Sequence, residues 1–343
     1  MRIAQIAPII ERVPPKKYGG TERMVHALTE ELVKRGHKVT LFASGDSLTS
    51  ADLLSVIPRS LREIKVRDLY RSNPWALCHI GAAYERQNEF DIIHDHNDYF
   101  GLPTANISRV PTVLTVHGAF NTENIRIFQK LRNPYLVTIS QSQGQAYPSL
   151  HYAGTVHNGL NMEDYPFSEE HDGYLLFVGR ISLEKGVHYA IEVARYLSLP
   201  LIIAAKLDEE DVPYFEEYVK PRLSEDIRWI GEVDEKERNR LMSRAMAFLH
   251  PITWREPFGL TMIEAMACGC PVVAFNRGSV PEIVADGKTG FIVADTEGML
   301  DAISNIGKIQ RQECRSYALE NFSAKKMAQA YEKIYQQILE NKI

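Results

Sequence analysis

Short apolar, β-branched runs alternate with helical stretches along this chain, and after a break at mid-chain the alternation starts again. This alternation constrains the fold more than any other feature. A strand followed each time by a helix pairs in parallel with its neighbours, and the helices cover the faces of the sheet. The chain therefore reads as α/β. In the first half, residues 2–7, 38–43, 91–94, 112–116 and 136–139 read as strands. In the second half the strands read as 174–178, 199–204, 227–230, 247–250 and 271–274, with helices near 187–197, 234–245 and 260–268. Thr21 reads as the cap of a first helix that ends near Arg35, with Gly36 as its stop.

Asn158-Gly159, Asp164 and Pro166 signal turns and put a domain boundary near 159–167. Two Rossmann-like domains follow, 1–160 and 161–322, and 343 residues are enough for each to bury its own core. Beyond Phe322 the apolar residues Met327, Ala330, Tyr331, Ile334 and Ile338 recur at helical spacing, so 323–343 reads as a closing helix. Doubly wound domains bind ligands beyond the carboxyl ends of their strands. With two such domains face to face, those ends would meet in a central cleft. His117, Arg180, Gly231 and the loop 252–260 all stand where a strand should end.

Composition excludes several classes. Hydrophobic content is 45% and the net charge is −5, as in a globular protein without the basic field that nucleic acid needs. No run approaches the ~18 apolar residues of a membrane-spanning helix, so membrane contact is expected to be peripheral at most. Residues 1–8 are too short an apolar run for a signal peptide and read as the first strand. Cys78, Cys268, Cys270 and Cys314 contain no C-x-x-C pair. Cys268 and Cys270 flank Gly269 in an apolar setting and read as small buried thiols, which implies a reducing, cytoplasmic setting.

The densest chemistry lies in Glu256-Pro257-Phe258-Gly259-Leu260-Thr261-Met262-Ile263-Glu264. A helix starting at Leu260 or Thr261 points free N–H groups and its positive end ahead of itself, which suits a phosphate. Glu256 before that end and Glu264 one turn inside could hold sugar hydroxyls on either side of a phosphate. Arg180 and Lys185 follow another strand, and two fixed cations there suit a diphosphate whose charge rises as a sugar leaves. Gly19-Gly20, after the first strand, allows close backbone approach to a ligand, with Lys16, Lys17 and Tyr18 in the preceding loop. His94-Asp95-His96-Asn97-Asp98 alternates along a strand end without a third ligand, so it reads as cleft wall facing an acceptor and not as a metal set. Lys206 ends a further strand, near a diphosphate or simply on the surface. The cations of 59–71 read as a solvated helix face, since Glu63 and Asp68 interrupt them.

Glu-x7-Glu within "EPFGL…EAMACGCPVVA" resembles the donor-site motif of retaining glycosyltransferases of family four, which have the GT-B fold. Tyr18-Gly19-Gly20-Thr21-Glu22, Val116-His117-Gly118, Asn158-Gly159, Gly179-Arg180 through Glu184-Lys185-Gly186, Gly231-Glu232-Val233 and Asp286-Gly287-Lys288-Thr289-Gly290-Phe291 match in order. The resemblance implies two facing Rossmann-like domains, with the last helix crossing back to the first. It implies transfer of a hexose from a nucleoside-diphosphate sugar to an acceptor hydroxyl with retention of configuration, as in carbohydrate biosynthesis. UDP-glucose is the first expected donor and GDP-mannose the next; the acceptor is a sugar, a lipid-linked glycan or a small molecule. No cofactor and no metal are expected. The resemblance implies that Glu264 accepts from the ribose, that Glu256 and His117 hold the transferred sugar, and that Arg180 and Lys185 hold the diphosphate. It further implies donor contacts from the backbone of Phe258, Gly259 and Leu260, from the Thr261 hydroxyl, from Gly19 and Gly20, and from Val233 near the base. The alternative is a non-catalytic nucleotide-sugar-binding subunit, which would be expected to lack Glu256, Arg180 or Lys185.

Overall fold

The computed structural model describes every residue except Tyr18, Arg67 and Asp68, and every side chain except those three and Leu69, Tyr70 and Asp164. Two compact units are present. One comprises Met1–Leu160 together with Ser323–Ile343, and the other Asn161–Phe322.

The first unit holds a seven-stranded parallel sheet made of β1 (Arg2–Ile6), β2 (Lys38–Phe42), β3 (Asp52–Leu54), β4 (Ile92–Asp95), β5 (Thr112–Val116), β6 (Tyr135–Thr138) and β7 (Tyr152–Thr155), in the order β3-β2-β1-β4-β5-β6-β7. The chain winds outward from β1 through β3, then returns to the other side of β1 with β4. Both sheet faces are covered, which is why the strands read as continuous apolar runs. Ile3, Val39, Leu41, Ile92 and Val113 point to one core, with Met24, Leu28 and Leu32 of the helix Gly20–Lys34. Ala4, Ile6, Phe42, Ile93 and Leu114 point to the other, with Ile80, Tyr84 and Leu102.

The helix Ala324–Leu339 closes the first of these cores. Its Met327, Tyr331, Ile334, Tyr335 and Ile338 are buried there, and Ser323 caps its start by accepting from Lys326 N. Gly159 is pressed against that start: a Cβ on it would lie 2.4 Å from Ser323 O.

The second unit is a six-stranded parallel sheet of β8 (Leu175–Arg180), β9 (Leu201–Lys206), β10 (Ile227–Trp229), β11 (Ala247–His250), β12 (Val272–Phe275) and β13 (Gly290–Val293), in the order β10-β9-β8-β11-β12-β13. Its chain also reverses direction of travel, here between β8 and β11.

The sequence pattern missed β3, β7 and β13, and all three are sheet edges with half-buried residues. β3 and β7 lack the apolar run that marks an interior strand, and that of β13 is only Phe291–Val293. Thr21 does not cap the first helix. It sits inside the first turn, and Gly19 is the N-cap, at φ 143°. Residues 61–65 form turns in place of the expected helix face, because Leu61 packs with Ile9 and Ile57 and Arg62 pairs with Glu11. Arg67 and Asp68 lie outside the described residues. No helix among the described residues is long and apolar enough to cross a membrane.

Met327 is 2% exposed and fills the core between the closing helix and the first sheet. Met327→Ala should destabilise the first unit by about 2–5 kcal/mol, read as a lower midpoint in urea unfolding.

Candidate functional site

In an open parallel sheet the strands on either side of the reversal diverge at their carboxyl ends and leave a crevice there. In the second unit the flanking loops follow β8 and β11. Backbone contacts join them: Thr253 N donates to Glu184 O at 2.9 Å. Gly186 (φ 71°) approaches Pro251 so closely that a Cβ would sit 2.0 Å from its carbonyl oxygen. This approach delivers Lys185 to Glu256, with Nζ 2.6 Å from Oε2. Trp254 Nε1 donates to the same Oε2 at 3.0 Å, and Lys185 stands over the Trp254 ring at 5.1 Å.

Glu256 is buried. Burial pushes its pKa up, but Lys185 and His250 nearby and the two hydrogen bonds outweigh this and hold it below the usual range. Only Oε2 has protein partners among the described residues. His250 ends β11 beside the Gly259 turn. Burial lowers its pKa to about 4, Glu256 raising and Lys185 lowering it further, so the ring is neutral.

Gly259 takes the left-handed conformation (φ 83°, ψ 63°) and starts the helix Leu260–Ala267 with no side chain capping it. Gly259, Leu260 and Thr261 are half-buried. Phe258 has its side chain in the core against Phe322, and Ser279 Oγ donates to its carbonyl at 2.7 Å. Gly278 fits under Glu256, where a Cβ would lie 2.3 Å from the Glu256 carbonyl. Glu264 is 1% exposed. Its Oε1 meets Arg238 Nη2 at 3.1 Å and accepts from Tyr165 OH at 3.3 Å.

Arg180 ends β8 and stands in register with Lys206. It is surrounded by carboxylates: Glu184, with Glu210 at 3.4 Å and Asp211 at 3.6 Å. Lys206 pairs with Asp208 at 2.6 Å. Val233 is half-buried in the loop after β10, two strands out from β8.

In the first unit the reversal lies between β1 and β4. Gly19 makes room for the Pro15 ring, since a Cβ would come within 2.7 Å of it. Buried Glu22 stands at that helix start, and the Glu11 side chain lies beside Gly19. His117 follows β5. Its backbone N and that of Gly118 donate to Asp98, at 2.6 and 3.2 Å. Its Nε2 meets His96 Nδ1 at 3.0 Å, and the ring is half-buried. His94 and His96 are enclosed, at 0% and 1% exposure, so they do not form a wall facing an acceptor. Among the described residues no group of three His, Cys, Asp or Glu side chains is placed to hold a metal ion.

Sequence reasoning gave no role to Trp254, His250 or Arg238, and took Asp98 only as part of a wall. Asp98 alone left a signal, as a carboxylate just past β4. Arg238 reaches Glu264 from another helix, whereas Trp254 and His250 act on Glu256 from within the same loop and the strand before it.

The model of the family described as "Glycosyl transferases group 1" matches residues 162–321, and that of "Glycosyltransferase Family 4" matches 18–152. Glycogen synthase of Mycobacterium tuberculosis is 27% identical over 347 residues, spanning 85% of this chain and 83% of the relative. Among solved structures, sucrose-phosphate synthase of Thermosynechococcus elongatus superposes with a TM-score of 0.81 at 18% identity, over 99% of this chain and 100% of that one. Anabaena Alr3699/HepE in complex with UDP and glucose gives 0.74 at 19% identity, over 98% and 100%. The fold is therefore GT-B. The chain belongs to the group 1 glycosyltransferases.

Two outcomes follow from the geometry. Gly186→Ala forces a Cβ into Pro251 at a positive φ, so it should separate the two loops and lower the thermal midpoint clearly. Burial raises the Asp98 pKa to about 6, opposed by the two backbone N–H groups. The folded chain thus holds this proton more tightly than the unfolded chain, and the contribution to stability grows as pH falls from 7 to 5. Asp98→Asn should remove about 1 kcal/mol of that rise, measured by denaturant unfolding at both pH values.

Proposed function

We propose that this glycosyltransferase moves a hexose from a nucleoside-diphosphate sugar to an acceptor hydroxyl, with retention and without a metal. UDP-glucose is the first donor to test and GDP-mannose the second. The observation that carries the reading is the Lys185–Glu256 pair at the crevice of the second sheet, beside the open helix start at Gly259. A carboxylate with one oxygen held by Lys185 and Trp254 keeps the other for sugar hydroxyls. The HepE structure, holding UDP and glucose, supports this donor class.

In this reading the diphosphate lies at the start of the helix Leu260–Ala267, over the backbone of Gly259 and Leu260 and the Thr261 hydroxyl. Lys185 turns from Glu256 toward it, and Arg180 exchanges part of its carboxylate shell for phosphate oxygens. Fixed cations and N–H groups then stabilise the charge that develops on the leaving diphosphate. Glu256 orients the sugar. The leaving phosphate helps take the proton of the incoming hydroxyl on the same face, so no carboxylate nucleophile is required. Glu264 takes the ribose hydroxyls in place of Tyr165, its more distant partner. Val233 lies near the base. In the first unit, His117 offers Nδ1, which has no partner among the described residues, to a substrate hydroxyl. Buried thiols at Cys268, Cys270 and Cys314 suit a reducing, cytoplasmic place of action.

Release of nucleoside diphosphate tests the reading. The protein is incubated in turn with UDP-glucose, UDP-galactose, UDP-N-acetylglucosamine, ADP-glucose and GDP-mannose, with and without EDTA. Slow hydrolysis of one donor is expected, unchanged by EDTA. Glu256→Ala and Lys185→Ala should each lower turnover about 100-fold or more, with the folded circular dichroism spectrum retained. Full activity in either variant would sink the site assignment.

A further inference from the structure

A line of buried polar groups, with one branch from Gln5 to His94, runs behind His117. Gln5 of β1, His94 of β4 and Thr115 of β5 sit among the apolar residues that face the closing helix, and all three are 0% exposed. From His117 Nε2 the line passes at 3.0 Å to His96 Nδ1, and from His96 Nε2 at 2.7 Å to Gln5 Oε1. Gln5 Nε2 reaches Tyr335 OH at 3.4 Å. Tyr335 OH meets His94 Nδ1 at 2.6 Å, His94 Nε2 meets Thr115 Oγ1 at 2.7 Å, and Thr115 Oγ1 meets Tyr331 OH at 2.9 Å.

Each hydrogen bond needs one donor, so the line has a direction. Hydroxyls serve either way by rotating, and neutral imidazoles by changing tautomer. Burial keeps the rings neutral: it lowers the His117 pKa to about 3 and holds His94 and His96 well below the usual range. Gln5 alone has chemically different ends. Its carbonyl oxygen can only accept, so His96 Nε2 carries a proton and His96 Nδ1 is bare. His96 Nδ1 must then accept from His117 Nε2–H, which leaves His117 Nδ1 without a proton. A Gln5 amide turned half around would reverse each step. In the observed orientation the Gln5 N–H groups face two acceptors, Tyr335 OH at 3.4 Å and His94 Nδ1 at 3.5 Å, while the carbonyl oxygen faces His96 Nε2.

We propose that Gln5, acting through His96, fixes the tautomer of His117, so that this ring presents a bare Nδ1 as hydrogen-bond acceptor to a substrate hydroxyl. The substrate half rests on the function proposed above; the tautomer half does not. Gln5 and His96 are positioning residues. His117 Nδ1 bonds to no protein group among the described residues, so its lone pair is the one outlet of the line. An acceptor there selects a hydroxyl proton, and it would reject a group that offers only lone pairs.

The test reads the ring nitrogens directly. The full chain is labelled with 15N-histidine and observed by long-range proton–nitrogen correlation, with His117→Gln and His96→Gln assigning the signals. The expected result is a protonated Nε2 and a bare Nδ1 on His117. Gln5→Met removes the acceptor and should mix the two tautomers of His117. Gln5→Glu keeps an oxygen there and should retain the native pattern. A proton on His117 Nδ1 in the native chain, or a native pattern in folded Gln5→Met, would overturn the proposal. If Gln5→Met does not fold, the native and Gln5→Glu spectra still decide. With the donor identified by diphosphate release, Gln5→Met should lower kcat about tenfold with little change in donor KM, and Gln5→Glu should recover much of it. An unchanged kcat with a mixed tautomer overturns the substrate half. If no donor is turned over, the proposed function fails, and the spectrum still settles the tautomer.

Discussion

The candidate site of the second unit depends on one backbone approach, that of Gly186 to Pro251. No other residue type fits there, because a Cβ would meet the carbonyl oxygen and the residue is already at positive φ. Through it the loop after β8 lies directly on the loop after β11. Lys185 and Glu256, 71 residues apart in sequence, become partners as a result. Removing either partner strands the other charge in a half-enclosed place, which costs more than the pair itself contributes. The pair is thus a constraint as much as an interaction: it keeps a carboxylate ionised and aimed where burial alone would favour protonation.

In the first unit the His117 ring is held by neutral groups, while the Asp98 carboxylate holds its backbone. The reversal point of this unit carries neutral imidazoles, an amide and phenols, linked from strand to strand and on to the closing helix. Such a network is costly when half satisfied and rigid when complete. Its position explains why polar residues interrupt strands that are otherwise apolar on both faces.

Much of this was legible in the sequence. Interior strands such as β5 and β11 announced themselves as apolar runs, because both of their faces are covered. Edge strands such as β3 did not, since Asp52 needs no apolar partner at a sheet margin. The segment from Glu256 to Glu264 gave its helix start correctly, through Gly259. At Gly19 the sequence showed a need for glycine, and the structure adds that the Pro15 ring lies where a Cβ would stand. Gln5, in Arg2-Ile3-Ala4-Gln5-Ile6, and Thr115, in Thr112-Val113-Leu114-Thr115-Val116, did leave a trace as polar residues at inward positions. Nothing local tied them to Tyr331 and Tyr335, more than 200 residues later. Long-range pairing of this kind depends on register and on which helix covers which face, and a single sequence does not carry either.

The closing helix has a consequence for the order of events during synthesis. The second unit is one continuous stretch of chain, so its core can form as soon as Phe322 has emerged. The first unit is interrupted. Tyr331, Tyr335 and Ile338, which complete one of its two cores, are made after the second unit is finished. Until then the helix Gly20–Lys34 covers that face without its partner, and the core around Ile3 and Ile92 lacks Tyr331, Tyr335 and Ile338. The half that leaves the ribosome first is therefore the half that matures last.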